Sequence, residues 1–546
     1  MNDDRPGPRF GAGLFRFDSS GLIVDDQGSE GKLKATRPYL YFTPRNNRLL
    51  FRQQRRPARR REGKTMTKAQ TALRTALIAG ASLIAMTGAA HAQTVQTPEQ
   101  QQARIEALEA QLEALSSQIA DLKAATAASL KDVRTAQATT TVSIAGGKPS
   151  IASGDGAFSA NIHAVMQLDA TWYNQDSGLP AAVTARDLNS GTNFRRARLG
   201  VDGKAFKNFD YGVLLDFGGS GTDGAGALQE IYLQYNYAPF KVKVGAFAPN
   251  LGLEDAASTN GSLFPERPAA AEAARGLAGA DRRISLQAQA VGERWIVSGA
   301  VTGAKAGDGA TFDEQLGYVG RVAFIPFRGY DWLTHVGVNA SRIAQPAQTA
   351  VAGAYPITVE DRPELRTDGT RLVSSGAIDS AGARHYGFEL AAQKKNFLIQ
   401  GEYFDIALDR RNRAANVTDP KFSGWYVEGG WVLTGEQRKY NAANFAFDAP
   451  AIANPFDPRA GKWGAWELAA RYSVLDVNHH EYATVAADRV RGGVQEIVTL
   501  GLNWFPNSVT KFSLDYLDVD VDRRDTAGAL IGQSYKAVNL RSQYAF

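Results

Sequence analysis

Seven basic residues, Arg196, Arg198, Lys204, Lys241, Lys243, Arg283 and Arg321, stand opposite apolar rows in segments whose hydrophobicity alternates with period two. In a strand, Arg196 and Arg198 project to the same side about 7 Å apart, within one Debye length, so their potentials add. A row of this kind can draw anions into a wet passage and repel cations. The competing reading is that these cations solvate the passage or pair with Asp202, Asp216 and Glu230. Other chemistry finds little support. The chain contains no GxSxG, HExxH or P-loop pattern, and its carboxylates lack a fixed catalytic partner. Cys is absent and the six His show no metal-ligand spacing. The adjacent pair His479–His480 reads as a surface feature. No catalytic residue, cofactor or metal site is expected.

The elements that carry these residues are strands. In 196–204, Ala197, Leu199 and Val201 form one row, while Arg196, Arg198, Asp202 and Lys204 form the other. Ile231, Leu233, Tyr235 and Tyr237 repeat the apolar row, as do Trp425, Val427, Trp431 and Leu433. A dry sandwich core could not hold a row of ionised groups without a large desolvation cost, whereas an aqueous lumen can. In a bilayer every backbone polar group must be paired, and only a closed sheet achieves this with strands. The expected fold is therefore all-β: a transmembrane antiparallel barrel over residues 155–546, preceded by a helix. Sixteen strands over this length leave about 25 residues for each strand with its connection.

Upstream of the barrel the chain divides further. Residues 1–65 hold 15 Lys and Arg against 7 Asp and Glu, whereas the whole chain nets +5. The remainder is thus net −3, and the basic pI belongs to an upstream extension read as non-native or disordered. Polyanion binding loses its support, and nucleic acid is not an expected partner. From Met66, Lys68 and Arg74 precede the apolar run Ala76 to Ala85, followed by Ala90-His91-Ala92. This order marks 66–92 as an export signal cut before Gln93. Residues 93–138 contain a heptad seam, Ile105, Leu108, Leu112, Leu115, Ile119 and Leu122, that requires partner helices. Residues 139–154 read as a linker.

Several segments resemble the phosphate-selective porin O/P family. Phe194 to Gly203 (FRRARLGVDG) is similar to its early strand. Val242 to Glu254 (VKVGAFAPNLGLE), with Phe264 to Arg267 (FPER), is similar to the region leading into an inward-folded third loop. Arg282-Arg283 follow where the barrel resumes. The most specific match is Gly424 to Tyr440 (GWYVEGGWVLTGEQRKY), above all its LTGE-x-R-x-Y core, and Trp466 to Val477 and Gly501 to Phe505 continue it. The likeness spans about residues 155–546. It implies a sixteen-stranded trimeric porin of the outer membrane, passing small anions such as phosphate along arginines and lysines in a narrow pore. The coiled coil would then lie in the periplasm. The N-terminal helix occurs only in part of such families, and the chain from Gln93 nets about −5. Any anion preference must therefore arise from local placement.

Two other readings stay open on the residues. One is a general or cation-preferring porin, with Asp518, Asp520 and Asp522 drawing cations at a late loop. The other is a structural barrel that tethers the envelope through its coiled coil.

Overall fold

The computed structural model describes residues 97–137, 140–145, 147–175, 188–219, 227–280, 282–307, 312–351 and 353–546. The upstream extension, the export signal and the cut before Gln93 lie outside the described residues.

Pro98–Gln137 form one helix, α1, of 40 residues, with Glu99 in its first turn and Arg134 in its last, where each complements the helix dipole. Its seam stands in solvent, with Leu112 70% and Leu122 66% exposed. The segment read as a linker differs from that expectation. It carries a hairpin, Thr141–Ala145 against Lys148–Ala152, whose second strand pairs with Ser159–Asn161. Val142 and Ile144 alternating with polar residues are a short strand signal, and Gly147 supplies the left-handed turn at φ +79.

Sixteen antiparallel strands follow. The first four are β1 (Ser159–Gln175), β2 (Gly191–Ala205), β3 (Phe209–Asp216) and β4 (Ala227–Tyr237). Next come β5 (Phe240–Phe247), β6 (Arg283–Val291), β7 (Trp295–Lys305) and β8 (Leu316–Phe324). Then β9 (Trp332–Gln345), β10 (Ile378–Lys394), β11 (Phe397–Arg410) and β12 (Lys421–Val432). The last are β13 (Ala465–His479), β14 (Val490–Asn507), β15 (Thr510–Asp522) and β16 (Tyr535–Ala545). Each pairs with its sequence neighbour, and β16 returns to β1 with Val538 opposite Trp172, so the barrel has no free edge.

The two rims differ. At one, β4–β5, β10–β11 and β14–β15 are joined by two residues each. At the other run long loops, among them L3 (248–282), L5 (346–377), L6 (411–420) and L7 (480–489). Alternation sends Phe388, Leu390, Ile399, Val427 and Leu500 outward, exposed as a lipid-facing wall demands. Near the short-turn rim Phe397 stacks on Trp431 at 5.3 Å and Trp466 on Trp504 at 5.5 Å, the aromatic girdle of an interfacial zone.

Inside, three inserts occupy the lumen. L3 contributes helix α2 (Ala269–Ala278), laid against the inner faces of β8 to β13. Its alanines let it approach closely, and the wall answers with glycine. A Cβ on Gly424 would stand 2.7 Å from the Ala270 Cβ, and one on Gly430 would stand 2.5 Å from Leu263. Both glycines belong to the GWYVEGG stretch, so that motif is the seat of the loop. L5 is the second insert. The third enters from the short-turn rim between β12 and β13, as a small hairpin pairing Arg438–Asn441 with Ala446–Pro450. Phe445, Ala446 and Phe447 pack there with Leu253, Leu263 and Phe264 of L3.

Candidate functional site

A dense charge cluster forms where L3 and L5 meet β1, β2 and β16. Glu266, from the FPER stretch of L3, is its centre. Arg195 donates to both carboxylate oxygens, from Nε at 2.8 Å and Nη2 at 3.0 Å, and Arg541 Nη2 donates at 2.8 Å. Arg366 of L5 stands at 3.5 Å and Arg196 at 3.9 Å. Burial by itself would raise the Glu266 carboxyl, but Arg195, Arg196, Arg541 and Arg366 outweigh it and hold it well below the usual range. Arg541 also clasps Asp169 through two bonds of 2.6 Å.

Adjacent residues of a regular strand cannot both point inward, yet Arg195 and Arg196 do. Register pairs Gln167 with Arg196 but Leu168 with Phe194, so Arg195 is the extra residue of a β-bulge. A bulge locally re-aims a side chain. Strict alternation along the strand excludes Arg195 from the inward row for this reason.

L5 fastens L3 from above. Glu364 accepts from Ala269 N–H at 3.0 Å at the start of α2 and from Ser473 at 2.6 Å, and it also pairs with Arg471. Arg366 reaches Glu272 at 3.4 Å and Asp361 at 3.6 Å. Burial pushes the Asp361 carboxyl up to about 6, with Arg366 opposing. Beside it, burial and then the like charges of Arg366 and Arg371 lower Arg362 to about 10. Four arginines thus converge on the single carboxylate of Glu266.

The seven basic residues named from sequence fall into two sets. Arg196 is buried and donates to Gln167 at 2.6 Å. Arg198 pairs with Asp216 at 2.8 Å, Lys204 with Asp210 at 3.0 Å and Lys243 with Glu230 at 2.7 Å. Lys243 also lies 3.7 Å above the Tyr232 ring, a cation–π contact. Lys241 is half-buried in β5, in register with Asn236 and Gln289. The inward rows of β2 to β5 are largely half-buried, whereas those facing the inserts are buried. Arg283 and Arg321 instead hold inserts. Arg283 donates to the carbonyls of Gly279 at 3.0 Å and Leu277 at 3.3 Å, closing the C-terminus of α2. Arg321 binds Glu389 at 2.7 Å and the carbonyls of Asn444 at 2.7 Å and Phe445 at 2.9 Å. Asp518, Asp520 and Asp522 lie on the exposed row of β15 with Leu514 and Tyr516, on the outside of the wall and not in the lumen.

The LTGE-x-R-x-Y stretch has an equally definite role. Arg438 grips Glu467 of β13 with two bonds of 2.6 Å and donates to the carbonyls of Gly261 at 2.6 Å and Asp448 at 3.1 Å. One guanidinium thus ties wall, L3 and hairpin together. Tyr440 hydrogen-bonds His335 Nδ1 at 2.9 Å. Beneath them, at the short-turn rim, opens a polar cavity of about 630 Å³. Three lysines, Lys148, Lys439 and Lys511, face one aspartate side chain there, Asp448. Sequence could not assemble this group, because its members come from three distant segments.

An apolar outer wall, a closed sheet and a charged lumen narrowed by inserts define an outer-membrane diffusion channel. The chain belongs to the family described as phosphate-selective porin O and P, whose profile matches residues 166–546. It is 28% identical over 383 residues to an uncharacterized protein of Caulobacter vibrioides, covering 68% of this chain and 70% of that one. It is 27% identical over 345 residues to Porin O of Pseudomonas aeruginosa, covering 60% of this chain and 77% of that one. Among solved structures, an anion-selective porin from Comamonas acidovorans is 11% identical with a TM-score of 0.44, covering 71% of this chain and 100% of that one. The protein is an outer-membrane porin.

Proposed function

We propose that this porin passes small anions, phosphate among them, by passive diffusion as a homotrimer. The observation that carries the reading is a group of arginines at the L3–L5 contact, in which buried Arg196 and half-buried Arg362 are among those that leave a guanidinium donor unpaired. Arg196 Nε and Arg362 Nε have no hydrogen-bond partner among the described residues. Each is a charged donor enclosed by its neighbours, which the oxygen of an anion entering the cluster would satisfy. The excess of lysine over aspartate side chains in the short-turn cavity supports the same sign of selectivity. On this reading the wet path follows β2 to β5, lined by Arg198, Lys204, Lys241 and Lys243 with buried Arg196 at its edge, while Arg283 and Arg321 keep the inserts in place. The exposed seam of α1 serves a periplasmic coiled coil that holds three subunits together.

Reversal potentials in a salt gradient across a planar bilayer test the proposal. The wild type should favour anions, and chloride current should fall when phosphate is added. Replacing Arg196 and Arg362 together by Ala should weaken both effects. A cation-selective wild type would overturn the reading, and an unchanged double variant would make these two arginines purely structural.

A further inference from the structure

The adjacent histidines at the long-loop rim are not a bare pair. His479 ends β13 and His480 begins L7 with φ +46, a left-handed backbone uncommon for a residue other than glycine. Successive side chains of a strand face opposite ways, and this residue breaks the rule. The two imidazoles consequently stack at 4.0 Å with 18° between their planes. Asp488, from a single 3-10 turn at the far end of L7, comes back to meet them. His480 Nδ1 lies 2.7 Å from its Oδ2, and one ligand atom from each of the three residues lies within 4.8 Å of the others.

We propose that His479, His480 and Asp488 form a site for a divalent transition metal of the zinc class. Two imidazoles and a carboxylate are a common zinc donor set, and a tetrahedral ion with bonds of about 2 Å needs donor atoms about 3.3 Å apart. The observed spacing requires only small side-chain shifts. L6 already furnishes an outer support, since Thr418 N–H and Oγ1 both donate to Asp488 Oδ1 at 2.6 Å. The Thr418 hydroxyl also sits 2.8 Å from His479 Nε2, a contact that ligation by Nε2 would replace, while Thr418 N–H keeps its bond to Asp488. Nε2 ligation places the ring proton on Nδ1, which then gives up only the 3.4 Å contact from Lys421 N–H. Imidazole donors favour zinc, copper or nickel over calcium or magnesium. The bound ion would clip L7 shut at its base.

Isothermal titration of the purified, metal-free full-length protein with zinc chloride tests the site. One ion per chain should bind, and His480→Ala and Asp488→Asn should each weaken binding at least about tenfold. Equal affinity in wild type and variants, or no uptake by the wild type, overturns the proposal. Folding of each variant is checked by its heat-dependent electrophoretic mobility. If His480→Ala fails to fold, the near-isosteric Asp488→Asn decides the question alone.

Discussion

Arg195 meets Glu266 through two parallel hydrogen bonds, although its neighbour Arg196 reaches the same carboxylate from the same strand. Only the bulge between Phe194 and Arg196 permits this. The pair pins L3 to the wall beside the first and last strands, so the placement of the loop inside the lumen rests on it.

Glu266→Gln should therefore loosen L3 and leave Arg195 and Arg541 less neutralised. Breaking a buried charged pair costs about 3 kcal/mol. We expect a lower unfolding midpoint in denaturant and a reversal potential shifted further towards anions. A variant matching the wild type in both measurements would show that the pair does not anchor the loop.

The same carboxylate sets a pH dependence. Its folded-state pKa is depressed, so its stabilisation is complete above the ordinary carboxylate value and is lost as pH falls through the depressed value. Stability should hold down to roughly pH 4 and decline below it. In Glu266→Gln that part of the acid decline should be missing, which denaturation curves collected against pH will reveal.

Arg438 is expected to govern the short-turn insert. Arg438→Ala removes the tie between Glu467, Gly261 and Asp448, so single-channel conductance should rise as the hairpin leaves the lumen. Arg438→Lys should not restore it, because an ammonium cannot reproduce the two-pronged contact. Rescue by lysine would reduce the residue to a simple charge.

Gly424→Val places a branched side chain where even a Cβ would meet Ala270 at 2.7 Å. Overpacking of this kind costs about 1–3 kcal/mol. The barrel should still form, with a lower thermal transition and a displaced α2. Unchanged conductance and stability would mean that the wall yields more readily than its backbone hydrogen bonds suggest.

Deleting residues 98–137 should convert trimers into monomers on native electrophoresis, because the exposed seam of α1 needs partners. Trimers that persist would leave the helix as a tether, about 60 Å long at full helical rise. N-terminal sequencing of the same outer-membrane preparation should begin at Gln93.

Much of this architecture is written locally. Alternation along Ile231 to Tyr237 or Leu500 to Trp504 is enforced by the two-residue period of a strand, so the sequence alone determines that these segments are amphipathic and that their charged faces need water. The heptad spacing from Ile105 to Leu122 likewise determines a helix with an apolar seam. The seat of L3 was visible as a motif, although its purpose was not. Gly424 and Gly430 are explained only by Ala270 and Leu263, which lie more than 150 residues earlier in the chain. The hairpin in 141–152 is not legible locally, because the alternation of Val142 and Ile144 alone is too brief to outweigh a linker composition. The inward turn of Arg195, the capture of Arg283 and Arg321 by insert carbonyls, and the convergence of His479, His480 and Asp488 were decided by tertiary structure. A bulge, an inserted loop and a left-handed residue each break the local period, and their consequences depend on segments that meet only when the barrel closes.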